Sequence, residues 1–265
     1  MGDLMTNNEK IIEIKNLNMS YGSKQVLNNI SLDINRGNII GYIGPNGAGK
    51  STTIKIILGL IEGYSGEVKI FGRDIKEEGF EYKNKIGYVP EIVKVYESLT
   101  AREYLTFIGQ LYDLDYKVCD EKARKLMNVL GIEKAYDSRI SSFSKGMKQK
   151  VAIISALLHN PDILFLDEPL SGLDANSVLL IKEIINKLKE NGKTIFYSSH
   201  IMEVVEKISD RIIVLNDGEI VVDGNFEEIR KSSFDGSLEE IFNKLTGFAK
   251  HNELSNEFIN ILNEV

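Results

Sequence analysis

The chain has 265 residues, 43% of them hydrophobic and 27% charged, with a formal charge of −7 at neutral pH. That length holds one large domain or two small ones with an adequate core, and the acidic balance argues against a nucleic-acid-binding surface, which needs a basic face. A single cysteine, Cys119, and three histidines exclude an internal disulfide and a cysteine-rich zinc site, and leave little for a multi-histidine centre.

Residues 1–10 are polar and lack the apolar centre of a signal peptide. No run approaches the roughly 20 apolar residues that a spanning helix needs. The sequence therefore predicts a soluble, cytoplasmic chain whose membrane role, if any, comes through a partner. In chain order, residues 11–14 and 26–34 read as strands with Tyr21-Gly22 turning between them. Residues 38–43 form an apolar strand, the glycine-rich run 44–49 follows, and residues 50–60 carry apolar side chains at helical spacing. Residues 66–71 and 85–89 read as further strands.

From about residue 92 to 158 the texture turns helical, with Tyr104, Ile108 and Leu111 on one face and Ala123, Leu126, Met127 and Leu130 on another. Strands return at 163–166, 194–197, 211–215 and 219–222, and residues 176–190 form a helix among them. After residue 225 the chain is charged and helical. Alternating strands and helices predict an α/β domain with a mostly parallel sheet and a helical insertion. Nothing repeats, so a second nucleotide site requires a second chain.

Gly44-Pro45-Asn46-Gly47-Ala48-Gly49-Lys50-Ser51 matches G-x-x-x-x-G-K-[ST] at every fixed position, between a strand and a helix. Glycines let successive N–H groups converge on a β-phosphate, and the following helix turns its positive end to the same anion. Lys50 can bridge the β- and γ-phosphates of ATP, and the Ser51 hydroxyl can ligate Mg²⁺. The apolar strand 163–166 ends in Asp167 and Glu168. Adjacent residues leaving a strand point apart, so they cannot share one task. Asp167 then serves Mg²⁺ and Glu168 polarises the water that attacks the γ-phosphate, although an acidic pair alone also suits a solvated strand end.

Those two elements are common to many ATPases and kinases. The stretch Ser142-Phe143-Ser144-Lys145-Gly146-Met147-Lys148-Gln149-Lys150 is more selective, because it resembles the signature sequence of ABC (ATP-binding cassette) transporter ATPases. In order after it, Ser171-Gly172-Leu173-Asp174 resembles the family's D-loop and Ser198-Ser199-His200 its switch histidine. Tyr21 stands where the family stacks a ring on adenine. Alone, each has an ordinary reading: Tyr21 as a packed tyrosine, His200 as a strand-end histidine, Ser144 and Gly146 as a helix start. Cys119 and the cluster of Tyr104, Phe107 and Tyr112 read simply as core or partner-facing packing.

The resemblance implies a P-loop NTPase core over residues 1–224, with an antiparallel β subdomain and the helical insertion at about 92–158, and a helical extension over 225–265. It implies a nucleotide set of Tyr21, the loop from Gly44 to Lys50, Ser51 and Thr52, a metal set of Ser51, Glu91 and Asp167, and catalytic roles for Glu168, His200 and Lys50. The signature residues Ser144, Lys145, Gly146, Met147 and Gln149, with Asp174, are expected to act across a head-to-tail dimer, on the ATP of a second copy or a sibling chain. An integral-membrane permease is the further expected partner, and no nucleic acid. Two positions depart from the commonest pattern. Glu91 stands where the family usually has glutamine, and Lys145 where it has glycine, offering a cation near the partner's nucleotide. Both variants, and the tail over 237–247, are similar to a bacterial subgroup that exports antibiotics, peptides or lipid-linked compounds. The competing reading is a soluble ABC ATPase acting on ribosomes or DNA. A phosphate-loop kinase is a third, disfavoured by Ser144 to Gln149 and by His200.

Overall fold

The structure is a computed structural model and describes residues 9–77, 79–233, 236–247 and 251–263; most of the polar N-terminal stretch lies outside them. Its first half runs β1 (Lys10–Tyr21), β2 (Lys24–Asn35), β3 (Ile39–Ile43), α1 (Lys50–Ile57), β4 (Ser65–Ile70), β5 (Arg73–Asp74) and β6 (Ile86–Val89). Then come α2 (Ala101–Leu111), α3 (Tyr116–Val129), α4 (Lys145–Leu157), β7 (Ile163–Asp167), α5 (Ala175–Glu190) and β8 (Thr194–Ser198). The chain continues through α6 (Met202–Ile208), β9 (Arg211–Asn216), β10 (Glu219–Gly224), α7 (Phe226–Ser233), α8 (Leu238–Leu245) and α9 (His251–Asn263).

A six-stranded sheet in the order β10-β9-β3-β8-β7-β6 is parallel except for β10, which returns antiparallel from β9. A second sheet, β2-β1-β4-β5, is antiparallel. The parallel strands of the first sheet are mostly apolar on both faces because both are covered, whereas the edge strand β10 is partly exposed. In β7, Ile163 and Phe165 join the core shared with α1 and the antiparallel sheet, whereas Leu164 and Leu166 join the core shared with the helical region. The same alternation divides Ile195 and Tyr197 from Phe196 in β8.

β1 runs seven residues past the apolar stretch that announces it. Lys15, Asn16 and Asn18 break the alternation, and the pairing slips between Ile14 and Leu17 where Asn16 takes a φ of 49°. That is a bulge, after which Leu17 and Met19 resume the buried face. The chain then turns at Gly22-Ser23, one residue later than the sequence suggests.

Each helix of the helical region starts on its own cap. Thr100 and Glu103 form a reciprocal capping box on α2, and the Asp115 carboxylate accepts from two N–H groups of α3. The helical region meets the sheet at His159, whose ring stacks on Tyr112 at 3.7 Å and donates from Nε2 to the Ile86 carbonyl of β6 at 3.0 Å. Beyond β10, Ile229, Leu238 and Ile241 are buried in the same cluster as β9, while α9 exposes Phe258, Ile261 and Leu262. Among the described residues, no helix is long and apolar enough to cross a membrane.

Candidate nucleotide and catalytic site

Four neighbouring strands, β3, β8, β7 and β6, deliver their carboxyl ends to one cavity of about 330 Å³. That is where an open α/β sheet takes a ligand. The loop after β3 supplies Asn46 to Thr52, β7 supplies Asp167 and Glu168, β8 supplies Ser198 and His200, and Glu91 comes from the segment after β6. Thus Lys50, Ser51, Glu91, Asp167, Glu168 and His200, far apart in sequence, line one space.

Two of the loop's glycines, Gly44 and Gly49, admit no side chain. A Cβ on Gly44 would lie 2.4 Å from the Leu215 carbonyl oxygen. One on Gly49, at φ +106°, would lie 2.5 Å from Leu27 Cδ2 and 2.9 Å from the Val26 carbonyl oxygen. The helix that follows has Gly49 at its N-cap, no side-chain cap and no acidic residue in its first turn. Its leading N–H groups and positive end are therefore left for an anion. Lys50 Nζ donates to the carbonyls of Gly44 and Pro45. Burial holds its pKa below the usual lysine value, against the opposing pull of Asp167, Glu168 and Glu91.

Asp167 is buried and its carboxyl is pushed up by that burial and by Glu91, opposed by a hydrogen bond from Ser198 and by Lys50. Glu168 leaves the strand at a φ of 48°, a conformation rare for a residue with a side chain and frequent at functional sites. Burial raises its pKa as well. Its backbone N–H donates to the Ser198 carbonyl at 2.9 Å. Its carboxylate accepts from the His200 N–H at 2.6 Å and from the Ser199 hydroxyl at 3.2 Å, with His200 Nε2 3.8 Å away.

The donors fit Mg²⁺ by their chemistry. Ser51, Asp167 and Glu91 bring hard oxygens to one cavity, and Mg²⁺ uses one or two carboxylates together with phosphate oxygens and water. Among the described residues, no group of three or more histidine, cysteine or acidic side chains is disposed to hold an ion alone.

The remaining expected residues lie elsewhere. Tyr21 ends β1 with 49% of its surface exposed, outside the cavity lining, whereas Lys24 and Val26 of β2 line it. Sequence reading missed those two, and names Ser198 only as part of the run leading to His200; the one hint was that Lys24 follows the expected adenine residue by three positions. None of Ser144, Lys145, Gly146, Met147, Gln149 or Asp174 lines the cavity. The Ser144 hydroxyl accepts from the Met147 N–H at 3.2 Å and so caps α4. Lys145 Nζ, expected as a cation for a partner's nucleotide, donates to Ser171 Oγ in the same chain at 2.9 Å. Buried Gln149 donates to the Pro169 carbonyl at 3.1 Å, and Asp174 caps α5.

Known proteins resemble this chain over most of its length. Residues 27–171 match the ABC transporter family model. The linearmycin resistance ATP-binding protein LnrL of Bacillus subtilis is 38% identical over 81% of this chain and 69% of its own length. The bacitracin transport ATP-binding protein BcrA of Enterococcus faecalis is 38% identical over 84% of this chain and 72% of its own. A Nod factor export ATP-binding protein of Burkholderia lata is 31% identical over 93% of this chain and 84% of its own. A solved ATP-binding subunit of an ABC transporter superposes with a TM-score of 0.83 at 34% identity, covering 89% of this chain and 99% of that one. None of these is a ribosome- or DNA-acting protein. The chain belongs to the ABC transporter family, as one of its ATP-binding, ATP-hydrolysing subunits.

Proposed function

We propose that this subunit hydrolyses ATP in a head-to-tail dimer and thereby drives export through a separate membrane permease. The observation that carries the reading is the convergence of the phosphate loop, Asp167, Glu168 and His200 on one cavity whose lining does not include the signature residues. The loop N–H groups and the start of α1 bind the β-phosphate, and Lys50 turns from its loop carbonyls to the β- and γ-phosphates. Ser51 and Asp167, with Glu91 in the same cavity, would hold Mg²⁺, which would supply positive charge against the γ-phosphoryl group. Glu168, with its pKa raised by burial, takes a proton from the attacking water. His200 hydrogen-bonds the γ-phosphate and registers its loss, because its own backbone holds Glu168. Tyr21 stacks on the adenine.

The second subunit brings Ser144 and the Gly146 N–H, at the start of its α4, to the γ-phosphate. ATP then joins the two halves and its hydrolysis lets them part. A groove of about 380 Å³ beside the helical region is lined by Leu58, Leu60, Tyr88, Tyr104, Ile108 and Leu111. Tyr96, whose ring meets that of Tyr104 edge-on, and Phe107, which meets Tyr96 in turn, are exposed beside it. An apolar surface of that kind suits a short cytoplasmic helix of the permease and would hold this chain at the inner face of the cell membrane. Export, of an antibiotic or similar compound, is favoured by the relatives named for linearmycin, bacitracin and Nod factor. A solute-binding protein of periplasmic type encoded beside this gene would overturn that direction.

The test is the Glu168→Gln protein, assayed for ATP hydrolysis and for size with and without ATP. Hydrolysis at least about 100-fold slower, with a dimer that forms only in ATP, is the expected result. Hydrolysis at the parental rate would remove Glu168 from the role of base.

A further inference from the structure

Ser199 lies between the two residues to which the motifs give tasks, Glu168 and His200, and has no task in the scheme above. It is nearly fully buried, at 4% exposure, immediately after β8. Its oxygen accepts the Ile201 N–H at 3.2 Å, and its hydroxyl donates to Glu168 Oε2 at 3.2 Å. A serine hydroxyl carries one proton, and its direction follows from which acceptor is present. The Tyr197 hydroxyl is a second neighbour of this group, and the charged carboxylate is the stronger acceptor for the serine proton.

The other carboxylate oxygen, Oε1, accepts the His200 N–H at 2.6 Å. Glu168 is thereby held at both oxygens by consecutive residues of one segment, and its backbone N–H is held by Ser198 of the same segment at 2.9 Å. A carboxylate accepting at both oxygens has a fixed plane. Each oxygen keeps lone-pair capacity beyond the one donor it has, and Glu168 is among the residues that line the cavity.

We propose that Ser199 is a positioning residue for hydrolysis. Its hydroxyl sets the rotation of the Glu168 carboxylate so that the free lone pairs meet the attacking water, and it makes the carboxylate follow the segment that carries His200. The inference rests on the role given above to Glu168. A displacement of His200 that follows loss of the γ-phosphate would move the donors of both carboxylate oxygens together. The base would then be misaligned once its work is done.

The test uses the full chain with Ser199→Ala and Ser199→Thr, each alone and combined with Glu168→Gln. Ser199→Ala is expected to lower kcat roughly tenfold, the lower range for removing a group that orients a functional side chain. KM and ATP affinity should stay at parental values, because the hydroxyl touches no part of the phosphate loop. Ser199→Thr retains a hydroxyl at the same position and should restore most of the rate. In the Glu168→Gln background, Ser199→Ala should add no further loss, since the two act as a unit. Parental kcat in Ser199→Ala would overturn the proposal. So would a threonine variant as slow as the alanine one, which would make the effect one of packing. An undiminished effect of Ser199→Ala in the Glu168→Gln background would also overturn it, by showing a route that bypasses Glu168. Failure of the underlying reading is distinguishable, because then Glu168→Gln by itself would hydrolyse ATP at the parental rate.

Discussion

The helices α1 and α4 both begin at a motif, yet the chain treats their N-termini in opposite ways. Gly49 leads into α1 with no side-chain cap, and the helix opens on the phosphate cavity between Lys50 and the carboxylates. At α4 the Ser144 hydroxyl already occupies a backbone N–H, and the adjoining Lys145 is tied to Ser171. The first terminus has no side-chain cap, which leaves its N–H groups open to an anion. The second has one N–H, that of Met147, capped within its own chain and is not part of the cavity lining. On the proposed mechanism, binding is a property of one chain, whereas the signature acts only on a nucleotide that another chain presents.

The largest effect that would break this contrast belongs to Lys50. Lys50→Ala should reduce the ATP affinity of the isolated chain by about tenfold to 100-fold, the range expected for one hydrogen bond to a charged group. Titration with a fluorescent ATP analogue measures it directly. Undiminished affinity would mean that the loop N–H groups bind phosphate without the lysine.

Ser144→Ala sharpens the contrast from the other side. Affinity of the isolated chain for ATP should be unchanged, while hydrolysis by the assembled dimer falls at least about tenfold, as when one preorganised hydrogen-bond donor to a reacting anion is lost. Removal of the cap should also cost about 1 kcal/mol of stability, visible in the thermal midpoint. A variant that lost ATP affinity in the isolated chain would place Ser144 in the cavity of its own subunit. That result would contradict the separation seen here.

The same contrast explains what could be read from sequence. The phosphate loop, Asp167-Glu168 and Ser198 to His200 are short contiguous segments whose residue types state their chemistry. The parallel order of strands then carries them to one end of the sheet. Lys24 and Val26 were not legible, because they reach the cavity through the packing of the β1–β2 hairpin against the loop. No local pattern records that contact. The bulge at Asn16 hid the far half of β1 for a related reason: it interrupts the period-two alternation on which strand reading depends. The seven residues of α6 were too few to announce a helix. The burial of Ile229, Leu238 and Ile241 against the main core depends on partners distant in sequence.

The smallest expected effect concerns the joint between the helical region and the sheet, and it is a pH dependence. His159 is held against Tyr112 and the Ile86 carbonyl, and burial keeps its imidazole below the ordinary value of 6.5. The unfolded chain therefore takes up its proton first as pH falls. Between 6.5 and the lower folded value, the unfolded state binds more protons than the folded one. Stability is then at its full value above that window, declines as pH falls through it, and levels off below. The slope from a single group is at most about 1.4 kcal/mol per pH unit. His159→Gln keeps a donor for the Ile86 carbonyl and removes the titration, so its thermal midpoint should vary less between pH 5 and 7. The other two histidines are common to both proteins, and the difference between the two curves isolates His159. Parallel curves would show that the stacked ring protonates without strain on the joint.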